Sequence, residues 1–300
     1  MRPERVVAEL RRELADAGLD GSFLVRDLRT GQEIAIEPDV EWPMASLVKV
    51  PLAVATLERV RRGELDGATR VEVRPAPDAP PGSPGLSWFR HPVEVAVDDL
   101  LYLGVAISDS RAAGALFALT PPPRVNALLR ELGVRGLAVR HDLDPLTDTP
   151  VERFEPAEVH LAHSLAATAG TPGRGHPVAQ LDVTRANAGS ARAFADLLQA
   201  LWRPSGVPEE VAARVRELMS LNVLRQRLAP DFTSDATRWS SKTGTLLTLR
   251  HEVGVVEHDD GQAFAVAALT GSTVPAAAQP GAEAVMGRVA RRLRDCLRLR

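Results

Sequence analysis

Pro43-Met44-Ala45-Ser46-Leu47-Val48-Lys49-Val50-Pro51-Leu52 places one hydroxyl and one amine in a run that is otherwise apolar. Positions three apart share a helix face, so Ser46 and Lys49 become neighbours if the run is helical. Serine is a weak nucleophile until a base takes its proton. A lysine can be that base when burial or a second cation lowers its pKa from about 10.4. The spacing alone is common and describes many exposed helical pairs. Composition singles it out: of 36 basic residues only Lys49 and Lys242 are lysine, and the remaining 36 − 2 = 34 are arginine. Arginine replaces lysine on a solvated surface, but not where an amine must lose its proton.

The second lysine stands in Ser240-Ser241-Lys242-Thr243-Gly244-Thr245, just before the last strands. On a strand, Lys-Thr-Gly offers a cation, a hydroxyl and a glycine that lets a ligand backbone come close. Between the two lysines lies Ser108-Asp109-Ser110, after the apolar stretch Leu100 to Ile107. Taken alone it is a helix N-cap, where Ser and Asp are common.

Working outward, Val6, Val7, Leu10 and Leu14 predict a helix over residues 3–17, broken at Asp20-Gly21. Ser22 to Arg26 and Glu33 to Ile36 read as a hairpin. Helices are expected over 47–60, 93–106, 111–119, 125–132, 157–168, 188–202 and 209–221, with loop over 75–92. Val253 to Val256 and Ala263 to Leu269 are strands around Asp259-Asp260-Gly261, and a helix over 282–297 closes the chain. This order predicts an α/β (α+β) fold: an antiparallel sheet assembled from both chain ends, flanked by N- and C-terminal helices, with an inserted all-helical lobe. The boundaries expected are 1–45 and 235–300 for the α/β lobe and 46–234 for the helical lobe.

The 300 residues make one large domain or two ordinary ones. The net charge of −3 argues against a broad basic face for nucleic acid or anionic lipid. Apolar residues at 45% and charged residues at 25% suit a packed protein and exclude disorder. One cysteine, Cys296, excludes an intrachain disulfide and a Cys-rich metal site. Apolar runs end well short of the roughly 20 residues a membrane span needs. Glu9, Arg11, Arg12 and Glu13 interrupt any signal-peptide pattern, which predicts a cytoplasmic chain, or an exported one whose leader is not included.

Ser46-Leu-Val-Lys49, Ser108-Asp-Ser110 and Lys242-Thr-Gly244, in this order, resemble the three motifs of class A β-lactamases and penicillin-binding proteins. The resemblance extends along nearly the whole chain and implies the serine β-lactamase-like fold. It implies an acylated nucleophile at Ser46, with Lys49 as its base or proton relay. Ser108 would pass a proton to the leaving nitrogen. Lys242 would sit near Lys49 and Ser108, and Thr243 would bind a substrate carboxylate. The N–H groups of Ser46 and Thr245 would form the oxyanion hole. Arg250 is expected to clamp a carboxylate, and Trp88 to stand at the site entrance. No metal and no organic cofactor is implied. The partner would be a small β-lactam or related amide or ester carrying a carboxylate, acted on by a monomer.

The pattern departs from that family in two places. Class A enzymes hydrolyse the acyl-enzyme with a glutamate in a stretch resembling Arg-x-Glu-Pro-x-Leu-Asn. Here Arg153-Phe154-Glu155-Pro156 matches the text but comes late, whereas Asp142 and Asp144, in Arg140-His-Asp-Leu-Asp-Pro145, come nearly on schedule. An insertion within 145–182 is therefore expected. Glu155 is the preferred candidate, with Phe154 and Pro156 desolvating it. The second departure is Ser110, which replaces an asparagine and has one donor in place of an amide. β-Lactam hydrolysis is the leading expectation. The alternatives are another amidase, an esterase, a DD-peptidase-like enzyme, or a penicillin-binding sensor acylated without turnover.

Overall fold

The computed structural model describes residues 3–75, 83–143, 155–168 and 175–298. A five-stranded antiparallel sheet runs in the order β2-β1-β10-β9-β8. Its strands are β1 (Leu19–Asp27), β2 (Glu33–Ile36), β8 (Thr237–Leu246), β9 (Leu249–His258) and β10 (Ala263–Ser272). Both chain ends thus supply the sheet. Strands buried on both faces read as continuous apolar runs, and Ala263 to Leu269 is buried throughout.

On one face, Phe23, Val25, Phe264 and Val266 pack against α1 (Pro3–Asp16) and α10 (Pro280–Arg298). Val6, Leu10 and Leu14 of α1 recur every four residues and are all buried. On the other face, Leu24, Val253, Val255 and Ala267 join the larger core, made with α2 (Lys49–Arg61), α7 (Ala191–Trp202) and α8 (Glu209–Ser220). Helices α3 (Val97–Ala106), α4 (Ser110–Leu119) and α5 (Pro122–Glu131) complete the helical side. Every residue of α2 from Lys49 to Glu58 is buried, so this helix is the axis of that core. Among the described residues, no helix is long and apolar enough to cross a membrane.

The structure revises several local expectations. Gly18, at φ 69°, makes the turn after α1, and Asp20-Gly21 lies inside β1. Val93–Ala96 is β5, paired with β4 (Arg70–Val73), and helix begins only at Val97. Ala188–Ser190 is β7, paired with β3 (Glu41–Pro43) and β6 (Leu137–Ala138), before α7 starts. Pro156–Glu158 is a 3-10 turn leading into α6 (Val159–Thr168).

Candidate active site

Strand β3 ends at Pro43, and a 3-10 turn, Ala45–Val48, delivers Ser46 before α2 begins at Lys49. Ala45 has φ 48°, a conformation that non-glycine residues adopt only under restraint. Two contacts supply that restraint. Met44 N–H donates to Asn187 O at 2.8 Å. His251 Nε2–H donates to Pro43 O at 2.9 Å, while His251 Nδ1 accepts Thr270 N–H at 3.1 Å. Burial holds the His251 pKa down, to about 3, so the ring remains neutral and keeps this tautomer. The turn packs directly on β8: a Cβ at Gly244 would lie 2.9 Å from Met44 O and 3.1 Å from Leu47 Cγ. Glycine is required there by this close approach.

Ser108 occupies the corner between α3 and α4 at φ 64°. Asp109 fixes the corner. Its Oδ1 accepts Arg111 N–H at 2.8 Å and Ala112 N–H at 3.1 Å, capping α4. Its Oδ2 accepts Leu86 N–H at 2.7 Å, tying in the 3-10 turn Gly85–Trp88. Trp88 therefore stands beside the Ser108 corner as an exposed residue.

The three motifs converge at Ser108. Lys49 Nζ lies 2.6 Å from Ser108 O, 3.3 Å from Ser108 Oγ and 3.2 Å from Ser110 Oγ. Lys242 Nζ donates to Ser108 Oγ at 2.8 Å and to Thr243 O at 2.8 Å. Both lysines are fully buried. Burial lowers the Lys49 pKa to about 7, against a smaller opposing pull from Asp109. Lys242 is also held well below its usual range, by burial first and then by the Lys49 and Arg227 cations. Lys49 is thus close to half neutral at neutral pH, and its lone pair can take a proton. The Ser46 hydroxyl is half-buried, and no hydrogen bond joins it to a described residue.

Around this centre, Thr243 is buried, with a hydroxyl that has no partner among the described residues. Thr245 is exposed, and its Oγ1 accepts Arg227 Nη2–H at 2.6 Å. Arg227 also donates to Gly244 O at 2.9 Å and His251 O at 2.7 Å, and pairs with Glu283 at 2.9 Å. Beneath the motif, Glu252 accepts Leu228 N–H at 2.8 Å, Trp239 Nε1–H at 2.9 Å and Ser241 Oγ–H at 2.7 Å. Sequence reasoning missed His251, Arg227 and Glu252. The signal for His251 and Glu252 was their place on the strand after the third motif; Arg227, well before it in the chain, carried none.

Two expected residues lie differently. Arg250 is buried, and its guanidinium donates to the carbonyls of Leu247 at 2.5 Å, Leu249 at 2.8 Å, Ala276 at 3.3 Å and Ala277 at 2.6 Å. It braces the β8–β9 turn against the segment before α10, and its donors do not face the pocket as a clamp would require. Glu155 is exposed, so the desolvated base expected there is not formed. It leads into α6, whose Ala162 and Ala166 pack with Val178, Leu181, Leu247 and Leu249. Asp142 is half-buried and engaged by a partner, whereas Asp144 lies outside the described residues. Among the described residues no cluster of His, Cys, Asp and Glu could hold a metal ion.

Two buried lysines and the Ser108 hydroxyl meet at the seam of a helical lobe and an antiparallel sheet, with half-buried Ser46 at the head of the first motif, the arrangement of a serine β-lactamase-like fold. The chain belongs to the Beta-lactamase enzyme family, whose model matches residues 5–297. It is 62% identical over 306 residues to the Beta-lactamase regulatory protein BlaB of Streptomyces cacaoi, covering 98% of each chain. In structure it is similar to a β-lactamase from Chitinophaga pinensis, at TM-score 0.77 and 19% identity over 98% of this chain and 99% of that one. It is also similar to PBP-A, at TM-score 0.75 and 17% identity over 99% and 97%. These structural likenesses establish the fold.

Proposed function

We propose that the protein is an acylation sensor: a carboxylated β-lactam or related amide esterifies Ser46, and the ester persists as a signal. The observation that carries the chemistry is the Ser108 hydroxyl held between two buried lysines. Ser108 Oγ accepts from Lys242 at 2.8 Å and faces Lys49 at 3.3 Å. Its lone pairs are therefore occupied and its own proton is free to be given away. Neutral Lys49 takes the Ser46 proton as Oγ attacks the amide carbon. The C–O ester bond forms, and the oxyanion meets the N–H groups of Ser46 and Thr245. As the C–N bond breaks, Ser108 gives its proton to the nitrogen and recovers one from the lysines. The substrate carboxylate is drawn to Lys242 and to the unpartnered Thr243 hydroxyl.

Two observations support a lasting ester over rapid hydrolysis. The relative that is 62% identical is named a regulatory protein. The carboxylates described beside the site, Asp109 and Glu252, each accept three hydrogen bonds and have little capacity left to orient a water. The test is a fluorescent penicillin followed by intact mass and a nitrocefin assay. A stable adduct on wild type, absent from Ser46→Ala, with no sustained nitrocefin turnover, is expected. Sustained turnover would overturn the sensor reading in favour of a β-lactamase. Equal labelling of Ser46→Ala would overturn the nucleophile.

A further inference from the structure

Glu252 lies on β9, paired in register with Thr243 of the third motif, and is fully buried. A buried carboxylate is costly unless its oxygens are engaged. Three donors engage this one. Leu228 N–H reaches Oε2 at 2.8 Å, and Trp239 Nε1–H and Ser241 Oγ–H reach Oε1 at 2.9 and 2.7 Å. The direction of the serine bond is set one residue further out. Leu224 N–H donates to Asn222 Oδ1 at 3.0 Å, so the other end of that amide is its NH2. The NH2 donates to Ser241 Oγ at 3.0 Å and to Leu224 O at 3.2 Å. The Ser241 proton is thereby left for Glu252. Burial raises the Glu252 pKa, and the three donors, with the Arg227 cation, pull it back.

Residues 222–228 run as a strap from the end of α8 to α9 (Ala229–Phe232). Val223 N–H donates at 3.1 Å to the carbonyl of Ala106, two residues before Ser108. Asn222 is tied through Ser241, the chain neighbour of Lys242, and Leu228 is tied directly; both ties end on Glu252. Arg227, the residue before Leu228, is buried and pairs with Glu283. Its guanidinium donates to Gly244 O, His251 O and Thr245 Oγ1 at 2.9, 2.7 and 2.6 Å. Glu252 therefore holds both ends of the strap whose arginine grips the Gly244–Thr245 end of the third motif. Lys242 also feels this charge, but burial, Lys49 and Arg227 act on it more strongly.

We propose that Glu252 is a positioning residue for acylation at Ser46: acting through the strap and Arg227, it holds the Gly244–Thr245 backbone where the oxyanion is received. The role rests on the acylation chemistry of the sensor reading. It acts on the rate of ester formation and not on the affinity for the acyl donor, because the oxyanion exists only after attack.

Glu252→Gln tests it, since glutamine keeps the shape but turns an NH2 towards a group that is itself a donor. Amide exchange in the free protein is followed by NMR, and labelling by a fluorescent penicillin is followed over a range of concentrations. Exchange at Leu224 and Leu228 should quicken about tenfold or more in the variant, while Ala265 and Val266 of β10 stay unchanged. The maximal labelling rate should fall about tenfold or more, with the half-saturating concentration little altered. Arg227→Lys should lower the rate as well, and the double variant should be no slower than Arg227→Lys alone. Ser241→Ala cuts only the Asn222 branch and serves if Glu252→Gln does not fold; it should quicken exchange at Leu224 and slow labelling. Unchanged exchange at Leu224 and Leu228, rate losses that multiply in the double variant, or a loss confined to the half-saturating concentration would overturn the proposal. Faster exchange with an undiminished labelling rate would overturn the positioning role alone. A wild type that takes no label would overturn the sensor reading and this role with it.

Discussion

Replacing Lys49 with methionine should make the protein more stable in acid while removing its chemistry. Lys49 is buried, and its pKa falls from 10.5 to about 7 on folding, chiefly through desolvation. The unfolded chain keeps the proton up to pH 10.5, whereas the native state releases it near 7. Burial of this amine therefore destabilises the fold, fully so below pH 7, and the penalty shrinks as pH rises towards 10.5. At about 1.4 kcal/mol per pKa unit, its upper limit is about 5 kcal/mol. Against it stand the three hydrogen-bond contacts of Lys49 with Ser108 and Ser110, worth about 1 kcal/mol each. Lys49→Met should then be about 2 kcal/mol more stable than wild type at pH 6. Between pH 7 and 8.5 the wild type regains about 2 kcal/mol, so the two should unfold together at pH 8.5. Loss of the Lys49 cation also relieves Lys242, which acts in the same direction. Urea unfolding of both proteins at pH 6.0 and 8.5 measures the difference. A variant less stable than wild type at pH 6, or a difference that does not change with pH, would refute the assignment of a strained, depressed amine.

The acylation rate of Ser46 should rise about tenfold from pH 6 to pH 8, with its midpoint near the Lys49 pKa of about 7, as measured with a fluorescent penicillin; a flat profile would mean another group takes the proton. Lys49→Arg should lower that rate at least about a hundredfold, since guanidinium keeps its proton. Arg250→Ala should destabilise by about 2–4 kcal/mol by stripping four carbonyls of their donor, and should slow carboxylated substrates and uncharged esters alike. A loss confined to carboxylated substrates would restore the clamp. Gly244→Ala should push the nucleophile turn off β8, where the new Cβ meets Met44 O at 2.9 Å, at a stability loss of about 1–3 kcal/mol and with slowed acylation. Unchanged melting and labelling would show that the turn can move freely.

The order of the sheet and helices was legible, and Ser46, Lys49 and Lys242 stood out as candidates, because these signals are local. Lysine scarcity marks Lys49 and Lys242, and the spacing of Val6, Leu10 and Leu14 marks α1. What was not legible depends on distant partners. Val93 and Val95 suit a strand as well as an apolar helix start, and only pairing with Val73 and Val71 decides between them. Ala188–Ser190 has helix-forming neighbours and becomes a strand by pairing with Glu41–Pro43. Arg227 was hidden by abundance among 34 arginines, and its partners, Gly244 O and His251 O, are invisible in a sequence. Arg250 was misread for the converse reason. Its position after the third motif fits a clamp, but the carbonyls of Ala276 and Ala277 reach its guanidinium first.

That contrast bears on why acylation and hydrolysis can separate in such a fold. The groups that would form the ester in the sensor reading sit where the core enforces them. Ser46 follows a strand end pinned by His251, Lys49 heads a helix buried through Glu58, and Ser108 is fixed by the Asp109 cap. Moving any of them would disturb packing on several elements at once. The preferred water-activating candidate, Glu155, has no such anchorage. Glu155 is exposed at the head of α6, and α6 packs on the small cluster around Leu247 and Leu249, separate from the large core, while the other described candidate, Asp142, is half-buried and engaged by a partner. A chain can therefore lose or reposition that one carboxylate with little effect on its fold, and keep an ester-forming centre intact. In the sensor reading, the same scaffold that makes the ester leaves its lifetime to a peripheral segment, and grafting a glutamate into that segment should convert a lasting adduct into turnover. Intact-mass decay of the penicilloyl adduct would measure this, and an adduct lifetime indifferent to every carboxylate placed there would show that the core itself blocks water.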